Sequence, residues 1–526
     1  MIMIKSQQIQ EIIRIINTFG NKSSKSLFLS KNNSSQIHVL AHKFASQGKD
    51  DERAFAMEIF GCPENDQTYI RVRSQLKRLL LSRLFHLDIR TGSLLRKATY
   101  RNAREVFCIR ILLMFGARGT AMWLIPRALE RARKFELTSD RTELLLALRQ
   151  NAMVNGDKLN FAKFSYELEE AEQFRSAEMR LIAMNEAINV ELVGKAEVSD
   201  RARNLAKESR PKAARLFEEC PTFNIGLDYF RIATLAAEAS NDYADNVRLC
   251  QQAEQFLSGF PHMLNPFIQG QFAVKRLTSA LAIHNWESFV PALKICEECF
   301  GPGNNNWYVW KEYEFLQLLH SNQLREAETL HQSIAASDRF ASQPEQVRQK
   351  WMLFGHYAEL ASWTLDQSVP LIRRKTFERI ARELPIYKRD KAGYDAALLI
   401  LQQLLFASSG NLDGMIQKSD SLKRYISRYL KNRRDTQLYA FLKMLILLQK
   451  CDFDIAQAER RGEEYVAQFS RYGREIVDEK QTLPYDLMWR WIADWTKQHA
   501  PKYQKSTPKK PAPAKPEGLP WRQVVT

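Results

Sequence analysis

Six times between Asn155 and Phe453, an apolar run of helical spacing stops at a small or polar turn, and a large residue opens the next run. The joins are Asn155-Gly156-Asp157 with Leu159, Asn241-Asp242-Tyr243, His284-Asn285-Trp286, Asn322-Gln323-Leu324, Gly410-Asn411-Leu412 and Cys451-Asp452-Phe453. From Tyr243 onward the opening residues lie 43, 38, 88 and 41 apart, and Leu159 lies 84 before Tyr243. The two long gaps are about twice the short ones. A repeat of about 40 residues is therefore expected, with one copy hidden near Asp366 to Leu371.

The chemistry of the join explains what it does. Asn, Asp and Gly tolerate the left-handed backbone that ends a helix. The large residue that follows packs back onto the first helix and sets the hairpin angle. Each hairpin leaves apolar surface on both sides and must stack on its neighbours. Alternating strand patterns are nearly absent, and Gly and Pro cluster between helical runs. The expected fold is all-α, an α-solenoid of roughly eight to nine helical hairpins. Repeat character extends from about Arg101 to Phe469, and an array of this kind evades the usual count of about 150 residues per domain for a chain of 526. We expect a basic helical module over 1–98, the solenoid over 99–498, and a disordered Lys/Pro-rich tail over 499–526.

The clearest unit runs from Asp228 to Pro261, DYFRIATLAAEASNDYADNVRLCQQAEQFLSGFP. Tyr229, Ala233, Ala236, Tyr243, Cys250, Ala253 and Pro261 alternate small and large residues across its two helices. A second runs from Tyr313 to Ala335, with Leu318, Leu319, Leu324, Ala327 and Leu330. These units resemble the tetratricopeptide-repeat-like superfamily. The period here is longer, and the Trp-Leu-Gly-Tyr set of that family's first helix is missing. The resemblance implies a protein-binding scaffold. The chain is also loosely similar to large helical proteins of Bacteroidota, which implies a bacterial cytosol and no particular activity.

Charge is unevenly placed. Between Gln67 and Lys134 stand 16 Lys and Arg against three acids, most of the formal +17. Residues 1–66 sum to +1, residues 497–526 to +6, and the long body between 135 and 496 to −3. Such segregation points to an anionic partner: acidic protein, nucleic acid or anionic membrane.

The basic segment begins in a front module. Leu40 to Ser46, Asp51 to Phe60 and Gln67 to Leu87 read as helices, with Gly61-Cys62-Pro63 as the break. On the third, Val72, Leu76, Leu79, Leu80, Leu84 and Leu87 follow helical spacing, while Arg71, Arg73, Lys77, Arg78 and Arg83 fall between them. Over about 40 residues this order resembles the winged-helix DNA-binding domains that precede helical repeats in some bacterial activators, although only Leu87 to Gly92 could start a wing. In that family the last helix enters the major groove. A further run follows at Arg90, Arg96, Lys97, Arg101, Arg104 and Arg110, with Tyr100 inside it. The candidate interface for an acidic partner or nucleic acid is thus Arg71, Arg73, Lys77, Arg78, Arg83, Arg90, Arg96, Lys97, Arg101 and Arg104. An electrostatic dock is the first reading and DNA recognition the alternative. The bland reading is a helix that docks its apolar face and leaves its bases in water.

Nothing in the chain carries a catalytic signature. Cys296-Glu297-Glu298-Cys299 has the spacing of a redox pair, but its own acids oppose the low thiol pKa such chemistry needs. His38 and His42 share a helix face without the Glu of a zinc-protease helix. Gly301-Pro302-Gly303 lacks the Lys-Ser/Thr of a phosphate loop. Trp307, Tyr308, Trp310 and the closing Trp489, Trp491 and Trp495 read as packing residues. We expect no enzyme activity, no cofactor and no metal, and a protein partner, with nucleic acid possible. Seven scattered Cys and an amphipathic start without a secretory pattern favour the cytoplasm. The longest apolar patch, Leu438 to Leu448, is too short to span a bilayer.

Overall fold

The computed structural model describes residues 6–20, 35–46, 52–89, 92–192, 199–302, 305–337, 339–365, 394–431, 434, 436–470 and 481–506. The described residues are helical with no strand among them, and an isolated antiparallel bridge joins Gly20 to Leu87. The all-α class expected from periodicity is what the chain adopts. No helix among the described residues is long and apolar enough to cross a membrane.

The chain forms two compact units. The first holds the residues up to Arg180 with two short segments, Glu219–Ile225 and Leu257–Asn265. It opens with α1 (Ser6–Phe19), α2 (Gln36–Ser46), α3 (Glu52–Phe60) and α4 (Gln67–Arg83), followed by one 3-10 turn, Leu84–His86. Their apolar stripes meet in one core. Ile9, Ile13 and Ile16 of α1 pack with Leu40 and Phe44 of α2, Phe55 of α3, and Tyr69, Val72, Leu76 and Leu80 of α4. The Phe44 and Phe55 rings meet edge to face, 5.1 Å apart. Next come α5 (Leu94–Met114), α6 (Arg118–Lys134), α7 (Thr138–Val154) and α8 (Lys158–Leu192). They share a separate core to which α5 contributes Val106 and Ile109, α6 Ala121, Ile125, Ala128 and Leu129, α7 Leu144 and Leu145, and α8 Leu168 and Ala171. Such pairing makes each helix antiparallel to the one before.

The second unit holds the end of α8 from Leu181, α9 (Asp200–Glu219) up to Glu218, α10 (Phe223–Ala239) from Gly226, α11 (Tyr243–Ser258) up to Phe256, α12 (Pro266–Ala282), α13 (Trp286–Cys299), α14 (Asn305–His320), α15 (Leu324–Ala335) and α16 (Glu345–Leu365). It continues with α17 (Tyr394–Ser408), α18 (Leu412–Gln417), α19 (Ser419–Tyr429), α20 (Gln437–Lys450), α21 (Ile455–Arg461), α22 (Glu463–Phe469) and α23 (Tyr485–Ser506). Its α20 is the Leu438-to-Leu448 run. It is buried nearly all round, which is why it is apolar all round, and Lys443 lays its stem outward with the ammonium 5.3 Å from the Tyr439 ring. Trp489, Trp491 and Trp495 are buried on α23 and pack the closing helix into the core.

The joins are built alike. At Asn241 (φ 55°), His284 (φ 53°), Asn322 (φ 59°), Gly410 (φ 69°) and Gly156 (φ 66°) the backbone turns left-handed. In each case two hydrogen bonds close the preceding helix. Asp242 N–H donates to the Ala237 carbonyl (2.9 Å) and Asn241 N–H to Glu238 (3.0 Å). The same pair recurs at Asn285/His284, Gln323/Asn322, Asn411/Gly410 and Asp157/Gly156. The next residue then opens the following helix. Asp242, Asn285, Asn411 and Asp157 each accept an N–H from three residues on, at 3.0 Å. One Asx residue thereby ends a helix on its backbone and starts the next with its side chain.

Three details differ from expectation. At Cys451-Asp452-Phe453 the ring does not open a helix. Asp452 and Phe453 are both left-handed, Phe453 is buried, and Asp454 caps α21 through the Gln457 N–H (3.0 Å). Two further joins of the same build, at Gly116 and Glu136, close α5 and α6. Helix α23 runs on to Ser506, past the expected start of the tail at 499. The hidden copy near Asp366 to Leu371 and the remainder of the tail, 507–526, lie outside the described residues.

Candidate acidic-partner interface

Asp66 starts α4: its carboxylate accepts the Thr68 N–H (2.7 Å), and this hydrogen bond holds the acid below its ordinary pKa. With Tyr69, Val72, Leu76 and Leu80 buried, 100° per residue puts Arg71 and Arg78 on the opposite face. Both are exposed, and Lys77 lies half-exposed on the flank. Arg73 and Arg83 are half-buried and make further contacts, Arg73 with its guanidinium 5.9 Å from the Tyr69 ring centroid.

Ser93 caps α5 by accepting the Arg96 N–H (3.2 Å). Burial of Ala98, Asn102, Val106 and Ile109 turns Arg96 and Arg104 outward, with Lys97 half-exposed beside them. Arg104 lies 5.7 Å over the Tyr100 ring. Tyr100 in turn joins the two parts of the first unit: its hydroxyl donates to the Leu84 carbonyl (2.7 Å) and accepts from Leu87 N–H (3.0 Å). Leu87 also pairs with Gly20, and Asp88 N–H donates to the Phe19 carbonyl (3.0 Å), so the segment after α4 turns back to α1. Arg90 lies outside the described residues.

Six of the ten candidates, Arg71, Lys77, Arg78, Arg96, Lys97 and Arg104, have no carboxylate partner among the described residues. Arg101 differs, pairing with Glu105 on the next turn (3.4 Å). The sequence reading missed an aromatic pair on this surface. Phe85 and Phe107 are both exposed, with ring centroids 5.2 Å apart. The signal was available, since Arg71, Arg78 and Phe85 stand at seven-residue spacing.

The later bases of the same segment are used differently. Arg131, nearly buried, donates to Glu105 (2.8 Å) and to Asn102 (3.1 Å), and Asn102 donates to Asp140 (2.8 Å). Burial would raise the Glu105 carboxyl, but hydrogen bonds and charge from Arg131 and Arg101 outweigh it and hold the group below its ordinary value. Arg110 grips Glu143 with two bonds, 2.6 and 2.9 Å. Arg133 pairs with Glu167, and Arg141 with Glu170. At the α6–α7 join, left-handed Glu136 (φ 49°) caps the start of α10, accepting Phe223 N–H and Asn224 N–H at 2.9 Å each. A cleft of about 160 Å³ beside it is lined by Arg133, Glu136, Thr138, Arg141, Glu178 and Thr222, among others.

Comparison with protein-family models, with curated proteins and with solved structures returns no match.

The other sequence features fall into packing. Burial pushes the Cys296 thiol up to about 12, and burial with Glu298 raises Cys299, the opposite of what a reactive pair needs. No group of three or more His, Cys, Asp or Glu among the described residues is placed to hold a metal ion. Tyr308 and Trp310 are buried, with Lys311 4.1 Å over the Trp310 ring.

Proposed function

We propose that this chain is a tetratricopeptide-like helical-repeat scaffold that binds a protein partner, without catalysis of its own, and docks an acidic partner on the outward face of α4 and α5. One observation carries the reading: six cations there lack a carboxylate among the described residues, while Arg110, Arg131, Arg133 and Arg141 further along are each committed to one. Unpaired surface cations gain most from an anionic partner, because no internal bond is lost on docking. The Phe85 and Phe107 pair supplies an apolar anchor among them. The test is binding of an acidic polypeptide, such as poly-glutamate, to the full chain across a salt series. Tight, salt-sensitive binding that vanishes when Arg71, Arg78, Arg96 and Arg104 are changed to Glu supports it. Unchanged binding by that variant sinks it.

DNA recognition through a winged-helix-like module is the second reading, favoured by α4 itself. Arg71 and Arg78 stand seven residues apart on one exposed face, about 10.5 Å along the axis. Two such arginines suit a helix laid along a groove. Mobility shifts at low salt decide: sequence preference that survives competitor DNA promotes this reading, and absence of any shift ends it.

A further inference from the structure

A second surface of the first unit lies at the end of the α5–α8 stack. Antiparallel succession places the α5–α6 turn and the α7–α8 turn at the same end. Around these two turns stand Met114, Phe115, Trp123, Met153, Val154 and Leu159, all exposed. Phe115, Trp123 and Leu159 are 79%, 78% and 82% exposed, so they project from the fold instead of lining a groove. Exposed apolar side chains gathered in one place mark a contact surface.

The charges beside them are mainly positive. Arg118 follows the first turn and Lys158 the second, and on the outward face of α6 Arg127 and Glu130 stand with Trp123. Neither α6 nor α8 has an acid in its first turn. The one carboxylate at the turns, Asp157, is occupied as the α8 cap, holding Asn160 through its N–H (3.0 Å) and its amide (2.6 Å).

We propose that this end docks on an anionic lipid bilayer, with Phe115, Trp123 and Leu159 entering the headgroup boundary and Arg118 and Lys158 meeting acidic headgroups. Three points select a bilayer over other occupants. Projecting side chains need a fitted pocket in a folded partner, whereas a fluid surface accommodates them as they stand. Trp123 lies five residues into α6, about 7.5 Å from the turn, and interfacial side chains reach about 5–10 Å into the boundary. A second copy would set cationic rim against cationic rim on a chain of formal charge +17, which repels. Anionic lipid instead attracts each cation near its surface.

The test is flotation of the full chain with vesicles of phosphatidylcholine alone or mixed with phosphatidylglycerol. The wild type is expected to float with the acidic vesicles at low salt, to weaken as salt rises, and to ignore phosphatidylcholine alone. Phe115→Ser with Leu159→Ser should reduce binding about tenfold or more, since each loses the burial of a large apolar side chain. Arg118→Glu with Lys158→Glu should abolish it. Helical content by circular dichroism is expected to stay unchanged in both, as all four residues are exposed. The Arg71, Arg78, Arg96 and Arg104 reversal should still float. Failure of the wild type to float, undiminished flotation by the Ser pair, or loss only in the α4–α5 reversal would overturn the proposal. So would a dimer that depends on Phe115 and Leu159 in the absence of any lipid binding.

Discussion

The leading and trailing halves of one basic segment use the same residue in opposite ways. From Arg71 to Arg104 most cations face solvent without an acid; from Arg110 to Arg141 four arginines, Arg110, Arg131, Arg133 and Arg141, reach across to a Glu of another helix. Positive charge is denser in the leading stretch, ten Lys and Arg in 34 residues against seven in 32, yet the trailing stretch is still basic, so a basic stretch alone does not mark an interface. What differs is the neighbourhood. Helices α7 and α8 bring Glu143, Glu167 and Glu170, whereas the helices packed against α4 present isoleucine, leucine and phenylalanine.

The sharpest way to break this contrast is by binding. Reversing Arg71, Arg78, Arg96 and Arg104 to Glu should abolish capture of an acidic polypeptide while shifting stability by no more than about 0.5 kcal/mol per site, read by urea denaturation. Changing Arg131 to Ala should do the converse. It leaves Glu105 and Asn102 without their donor in a half-buried site, at a cost of about 3 kcal/mol, with binding unaffected. Next in size is Glu136→Ala, which uncaps two N–H groups at the start of α10; about 1–2 kcal/mol should be lost, with Glu136→Gln retaining part.

Acid titration sharpens the same comparison. The Glu105 carboxyl is depressed in the fold, so its contribution is fully present above the ordinary value of 4.5 and is lost as pH falls through the lower folded value. Stability followed by circular dichroism should therefore decline below pH 4.5, and the Arg131→Ala variant should show a shallower decline. The smallest effect belongs to Arg110→Ala. Its pair with Glu143 is exposed, and about 0.5 kcal/mol or less is expected, fading with salt.

The hairpins were legible because their turns use residues suited to a positive φ. Asn241, Asn322, Gly156 and Gly410 announce themselves. The join at Glu136 does not: an acid sits in the left-handed position, and its carboxylate is tied to Phe223 and Asn224, 87 and 88 residues away. Gly116 was hidden differently, since Ala117 and Arg118 follow it where the other joins place a capping Asx or a large apolar residue. At the interface, helical spacing alone locates Arg71 and Arg78 on an outer face. It cannot foresee that Arg110 is claimed by Glu143, 33 residues on, because that pairing depends on how two helices stack.

The doubled role of the Asx residue in the joins has an evolutionary corollary. Where one amino acid both stops a helix and launches its successor, the bend has no slack. A single inserted residue there would disable two elements together. Gain or loss of an entire hairpin would leave every remaining bend whole. Lineages of such a chain should therefore differ by steps of about forty residues more readily than by steps of one.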